Sequence, residues 1–275
     1  MSVQVALWAG AQRLGAAGIA AGPREARLLM AAALGVAASR MTLHLQDDLA
    51  ADAAARFEAL LARREAREPM SHILGARQFY GRAFKVTGDV LDPRPETECL
   101  VAAALEERAA RVLDLGTGSG CILLSLLAEW PEAEGIGADI SVAALAVAQE
   151  NAERLGVTAQ AAFQEANWFE GIAGRFDLVV SNPPYIGLGE MAELAPELAH
   201  EPRGALTDEG DGLGAYRAIA AGVRERLVPG GRLLVEIGPT QAAEVADIFR
   251  AAGLCAVDVL PDLDGRDRVV TARSA

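Results

Sequence analysis

Residues 112–120 read Val-Leu-Asp-Leu-Gly-Thr-Gly-Ser-Gly. An apolar run meets Asp114. Glycines follow at 116, 118 and 120, with Thr117 and Ser119 between them, and then a second apolar stretch. Glycines let a backbone approach a ligand closely, and a helix start offers free N–H groups. The spacing is G-x-G-x-G with no Lys behind it, so this is not a P-loop. Asp114 would repel phosphates and suits an ammonium instead. Asp139 ends the next apolar run, where it can accept from ribose hydroxyls. An ammonium on a ribose-bearing ligand fits S-adenosyl-L-methionine. A glycine-rich turn that merely packs helix on strand is the plain alternative, and the two acids argue against it. Further on, Glu-Ala-Asn-Trp-Phe spans 165–169. The Asn167 amide and the Trp168 ring suit an adenine, by hydrogen bond and by stacking. Core packing suits Trp168 equally, and Phe169 reads as core.

Phe-Asp-Leu-Val-Val at 176–180 runs directly into Ser-Asn-Pro-Pro-Tyr-Ile at 181–186. Two adjacent prolines can neither continue a ladder nor sit inside a helix. The segment must therefore be a stiff loop at a strand end, where α/β proteins keep their chemistry. An amide or amine nitrogen with a delocalised lone pair is a poor nucleophile. Two acceptors aimed at its two protons would orient it toward a sulfonium methyl. The side-chain oxygen of Asn182 and the carbonyl of Pro183 are such acceptors. Pro184 stiffens the loop, and Tyr185 can pack against the flat group. Catalysis here would be mostly positioning, worth up to roughly 7–11 kcal/mol. A strong base is unnecessary, because an N-protonated amide loses its proton readily.

These loops need strands and helices to hold them. Residues 1–75 carry apolar residues at helical spacing, among them Leu7, Ala11 and Leu14, then Leu28, Leu29 and Ala32, then Phe57, Leu60 and Leu61. Pro23 suits a helix start and Gly35 a helix end. The charged run 63–68 reads as a solvated helix face. Phe79, Tyr80, Phe84 and Val86 around Gly81 suggest a β-hairpin, and a proline loop at 92–98 leads into a helix over 96–107. From Arg111 on, strands are expected at 112–115, 135–139, 159–164, 176–181, 232–237, 254–260 and 268–271. Helices are expected near 119–129, 141–155, 213–227 and 240–252. Such alternation means a mostly parallel sheet covered on both faces. The last two strands are too close for a crossover and should form an antiparallel edge hairpin. The expected fold is α/β, a Rossmann-like seven-stranded sheet with a small N-terminal helical domain. The expected parts are 1–75, a hairpin and linker over 76–95, and a catalytic domain over 96–275.

The 275 residues are 52% hydrophobic, which marks a globular chain. The net charge of −13, with no Lys/Arg-rich run, argues against extended nucleic-acid binding. Cys99, Cys121 and Cys255 are far apart, and no residue cluster has metal-ligand spacing. No apolar run reaches membrane-spanning length, and a cytoplasmic protein is expected.

Several stretches together resemble the release factor glutamine methyltransferases, the PrmC/HemK family. They are Pro-Arg-Pro-Glu-Thr-Glu at 93–98, Asp-Leu-Gly-Thr-Gly-Ser-Gly at 114–120, Asp-Ile-Ser at 139–141, Asn-Trp-Phe at 167–169 and Ser-Asn-Pro-Pro-Tyr-Ile at 181–186. Glu-Pro-Arg-Gly-Ala-Leu at 201–206, Glu-Ile-Gly at 236–238 and Gly-Arg-Asp-Arg at 265–268 complete the set. The resemblance implies S-adenosyl-L-methionine as donor, with S-adenosyl-L-homocysteine as product. It implies as acceptor the glutamine of the Gly-Gly-Gln loop of class I peptide chain release factors. Residues 116–120, Asp139 and Trp168 would bind cofactor, and Asn182 through Tyr185 would hold the glutamine. The N-terminal domain would help dock the release factor. The family often has Asp where this chain has Asn167. A neutral hydrogen bond is worth about 0.5–1.5 kcal/mol net, against about 1.5–3 for a charged one.

Two other readings use the same loop. A ribosomal-protein glutamine is one possible acceptor, although Arg-Pro-Glu-Thr at 94–97 resembles the release-factor branch more. The exocyclic amine of a nucleic-acid base is the other, and it calls for a basic groove that the charge speaks against. Glu96 and Glu98 read as helix-start acids. Arg94 is a candidate to close over the site, and Glu201, before Pro202, is left between lining the substrate mouth and a loop salt bridge.

Overall fold

A computed structural model describes residues 1–275, in two compact units. The first comprises 1–75 and 196–200, the second 76–195 and 201–275. No single helix is long and apolar enough to cross a membrane.

The first unit is helical: α1 Val3–Ala16, α2 Gly22–Leu34, α3 Ala51–Glu65 and the short α4 Met70–Leu74. Pro23 sits in the first turn of α2, and Gly35 closes it at φ 68°, a left-handed value that glycine adopts freely. Leu14, Leu29, Met30, Phe57 and Leu61 form its core. The reading of 63–68 as a solvated face needs correction at Arg64, which is only 6% exposed. Its guanidinium pairs with Glu25 at 2.6 Å and with Glu197 at 3.1 Å. A buried cation persists when it is paired in this way.

The second unit opens with the hairpin β1 Ala76–Phe79 and β2 Arg82–Lys85. A 3₁₀ turn at Pro95–Thr97 leads into α5 Glu98–Leu105. Strands and helices then alternate: β3 Arg111–Leu115, α6 Cys121–Glu129, β4 Glu134–Asp139, α7 Val142–Leu155, β5 Ala161–Glu165 and β6 Phe176–Ser181. After them come α8 Arg203–Leu206, α9 Gly214–Arg226, β7 Leu227–Glu236, α10 Ala242–Ala251, β8 Cys255–Pro261 and β9 Asp267–Arg273.

The sheet order is β5-β4-β3-β6-β7-β9-β8. The first five pair in parallel, and β9 and β8 are antiparallel at one edge. The order reverses between β3 and β6, so a crevice opens at their carboxyl ends. Apolar clusters cover both sheet faces, one under α5 and α6 and one under α9 and α10. β7 begins five residues before the expected Arg232. Leu227 pairs with Phe176, and the ladder resumes only at Leu178–Arg232. Pro229 lacks an N–H and Gly230 holds φ 74°, so the intervening residues bulge.

Candidate functional site at the sheet switch point

A cavity of about 320 Å³ opens at the carboxyl ends of β3, β4 and β6. That lies within the range of about 300–1,000 Å³ usual for small-molecule sites. Its walls include Gly116, Thr117, Gly118 and Ser119, then Asp139, then Asn167 and Trp168, and finally Asn182 and Pro184. Loops far apart in sequence thus meet where the strand order reverses.

The glycine loop is held from below. Thr117 N–H donates to the Ala138 carbonyl at 3.0 Å, joining the ends of β3 and β4. Gly118 N–H donates to Asp139 Oδ2 and Ser141 N–H to Oδ1, both at 2.9 Å. The Asp139 carboxyl is therefore fixed in direction, and burial pushes its pKa up. Gly118 has φ 53° and nothing within 4 Å of where a Cβ would stand, so the backbone itself forms the wall. Gly120 does different work: at φ 78°, a Cβ there would meet Leu124 at 3.0 Å and Ala148 at 3.2 Å. It sits off the wall and lets α6 pack closely.

Asp114 lies near the end of β3, as expected. It is fully buried and does not reach the cavity. Its Oδ2 accepts from the Thr117 hydroxyl at 2.7 Å. Burial pushes the carboxyl up to about 7. Through Thr117 the acid supports the loop from underneath, while its Oδ1 has no partner.

Trp168 lines the cavity with φ 55°, an unusual left-handed value for a bulky residue. It also packs against the second apolar cluster, as its core reading expects. Phe169 is core: its ring lies where a Cβ on Gly222 would stand.

The Asn-Pro-Pro-Tyr segment is anchored at both ends. The Ser181 hydroxyl donates to the Leu115 carbonyl at 2.7 Å, which ties β6 to β3. Gln241 Nε2 donates to the Tyr185 carbonyl at 2.9 Å. Pro183 is buried, and Tyr185 packs into the second apolar cluster; neither lies in the cavity wall. Burial, with the nearby Glu236, pushes the Tyr185 hydroxyl up to about 12, so it stays protonated.

Asn182 holds the central feature. Its Nδ2 donates to Thr97 Oγ1 at 3.2 Å. Its Oδ1 is shielded from solvent and has no partner. An unsatisfied buried acceptor costs roughly 1–3 kcal/mol. A ligand with an N–H to give would remove that cost. Thr97 and Glu236 were not singled out as functional by residue type. Both are buried, and the Thr97 side chain hydrogen-bonds the Glu236 carboxyl. Burial pushes Glu236 up to about 7. An acid ending an apolar strand was the available signal, the one used for Asp114 and Asp139.

Arg94 lines the cavity and pairs with the buried Glu201 at 2.6 Å. Glu201 is thus the loop ion pair and not a wall residue.

Comparison with known proteins places the chain among relatives. The model of the PrmC N-terminal domain matches residues 6–75, and the methyltransferase small domain matches residues 90–214. A release factor glutamine methyltransferase of Cereibacter sphaeroides is 58% identical over 98% of this chain and 97% of its own length. That of Rhodospirillum rubrum is 46% identical over 96% of this chain and 82% of its own. Among solved structures, a methyltransferase from Pyrococcus furiosus superposes with a TM-score of 0.57 at 13% identity, over 79% of this chain and 98% of that one. At that identity the likeness concerns the fold alone.

Proposed function

This chain belongs to the release factor glutamine methyltransferase family, and from that premise we propose which atoms it methylates and which residues do the work. It is an S-adenosyl-L-methionine-dependent methyltransferase. The acceptor is the side-chain nitrogen, N5, of the glutamine in the Gly-Gly-Gln loop of class I peptide chain release factors. Residues 1–75 dock the release factor. The cytoplasm, where release factors act, is where the reaction takes place.

The residues present fit the donor. The loop from Gly116 to Ser119 and the Asp139 carboxyl are suited to hold its amino-acid and ribose parts, and Asn167 and Trp168 its adenine. When bound, S-adenosyl-L-methionine supplies an electrophilic methyl group on a sulfonium. Asn182 Oδ1 accepts one glutamine N–H, and the Pro183 carbonyl accepts the other. With both protons held, the nitrogen lone pair is directed along one line. The anchored proline loop keeps that line fixed.

The observation that carries this reading is the unpartnered Asn182 Oδ1, beside the glycine loop in the same cavity. The test uses labelled S-adenosyl-L-methionine with a purified class I release factor, intact or with its Gly-Gly-Gln glutamine replaced. One methyl on that glutamine, and none on the replaced factor, is the expected outcome. Label entering ribosomal protein or nucleic acid instead would overturn the substrate.

A further inference from the structure

Asn182 can do its proposed work in only one of two orientations. Its amide has a carbonyl face and an NH₂ face of nearly equal size. Rotated by half a turn, it would present donors to a substrate that is itself a donor. Packing barely separates the two orientations, so hydrogen-bond chemistry must choose between them.

Thr97 is the neighbour that chooses. It ends the 3₁₀ turn Pro95–Thr97, is 2% exposed, and accepts from Asn182 Nδ2. A free threonine hydroxyl would not discriminate, because it can donate or accept. Thr97 is not free: its side chain also hydrogen-bonds the carboxyl of Glu236, the last residue of β7. In its ionised form, which prevails above about pH 7, the carboxylate only accepts, so it takes the single hydroxyl proton. Thr97 is then left with lone pairs alone toward Asn182. Asn182 must turn its NH₂ to Thr97, which aims Oδ1 the other way, where it stands unpartnered. Glu236 is 1% exposed, so water does not compete for that proton, and Arg268 lies close enough to offset its charge.

We propose that Thr97, its hydroxyl proton taken by Glu236, is a positioning residue that fixes the Asn182 amide with its oxygen toward the methyl acceptor. The inference rests on the reading of Asn182 as the residue that holds the glutamine N–H. It adds Thr97, in the cavity wall, and Glu236, behind it, to the residues that set the rate.

The test is the steady-state methylation of a purified class I release factor by the intact enzyme. S-adenosyl-L-methionine affinity and melting temperature are measured alongside. Thr97→Val keeps the shape and removes the hydroxyl. It is expected to lower kcat by about 10–100-fold, as misplacement of a reacting group does, with KM changed by less than about threefold. Thr97→Ser restores the hydroxyl and is expected to recover most of the loss. Should Thr97→Val fail to fold, the pair Glu236→Leu and Glu236→Gln asks the same question. Gln keeps an acceptor oxygen and is expected to cost kcat clearly less than Leu.

A Thr97→Val enzyme with kcat within about threefold of wild type, while Asn182→Ala is inactive, overturns this inference alone. Equal losses for Ser and Val, or for Gln and Leu, overturn it as well. A wild-type enzyme that leaves the release factor unmethylated overturns the functional reading and this inference with it.

Discussion

At the scale of single residues, three acids end strands and do three things. Asp139 faces the cavity, Asp114 braces the loop, and Glu236 serves Thr97. In the sequence all three look alike, as an acid closing an apolar run. The first two stand out because glycines or a second acid lie nearby. Glu236 had no such neighbour in sequence, and Thr97 lay between two glutamates that read as helix-start acids. Their meeting is a contact across 139 positions, which no local pattern records. Asp114 also carries a testable consequence for stability. Burial raises its folded pKa from the ordinary 3.8 to about 7. Between those values the unfolded chain releases a proton that the folded chain keeps. Stability from this group is therefore present at low pH and is lost as pH rises from about 4 to about 7. Asp114→Asn removes that loss. Chemical denaturation at pH 5 and at pH 8 is expected to show the variant gaining on wild type at the higher pH. An equal difference at both values would contradict the assignment.

At the scale of elements, the sheet was readable because its strands are short apolar runs separated by amphipathic helices. The β7 bulge was not, since Val-Pro-Gly-Gly at 228–231 reads as a turn and hides the pairing of Leu227 before it. Arg64 was hidden for another reason: its partner Glu197 is 133 residues away. The glycine loop shows how one motif mixes requirements. Gly118 leaves room beside the cavity, whereas Gly120 leaves room for Leu124 and Ala148. Gly120→Ala must hold a left-handed backbone and push two core side chains. It is expected to cost about 1–3 kcal/mol in denaturant unfolding. A loss below about 0.5 kcal/mol, the size of an ordinary surface change, would show that α6 does not depend on that close approach.

At the scale of the whole molecule, everything placed at the cavity belongs to the catalytic unit, residues 76–195 and 201–275. The proposed recognition of a large protein acceptor falls to the helical unit. The central claim joins the two, since a release factor must be held while one nitrogen is aligned by Asn182. The measurement that tests it most directly is the single-turnover rate of release factor methylation by wild type and Asn182→Ala, at saturating cofactor, with cofactor affinity measured separately. Loss of one preorganised polar group that acts on the reacting atoms typically costs about 10²–10³ in rate. The expected result is a fall of that size, with cofactor affinity changed by less than about tenfold, or about 1.4 kcal/mol. A variant that methylates the Gly-Gly-Gln glutamine within about threefold of the wild-type rate would contradict the account.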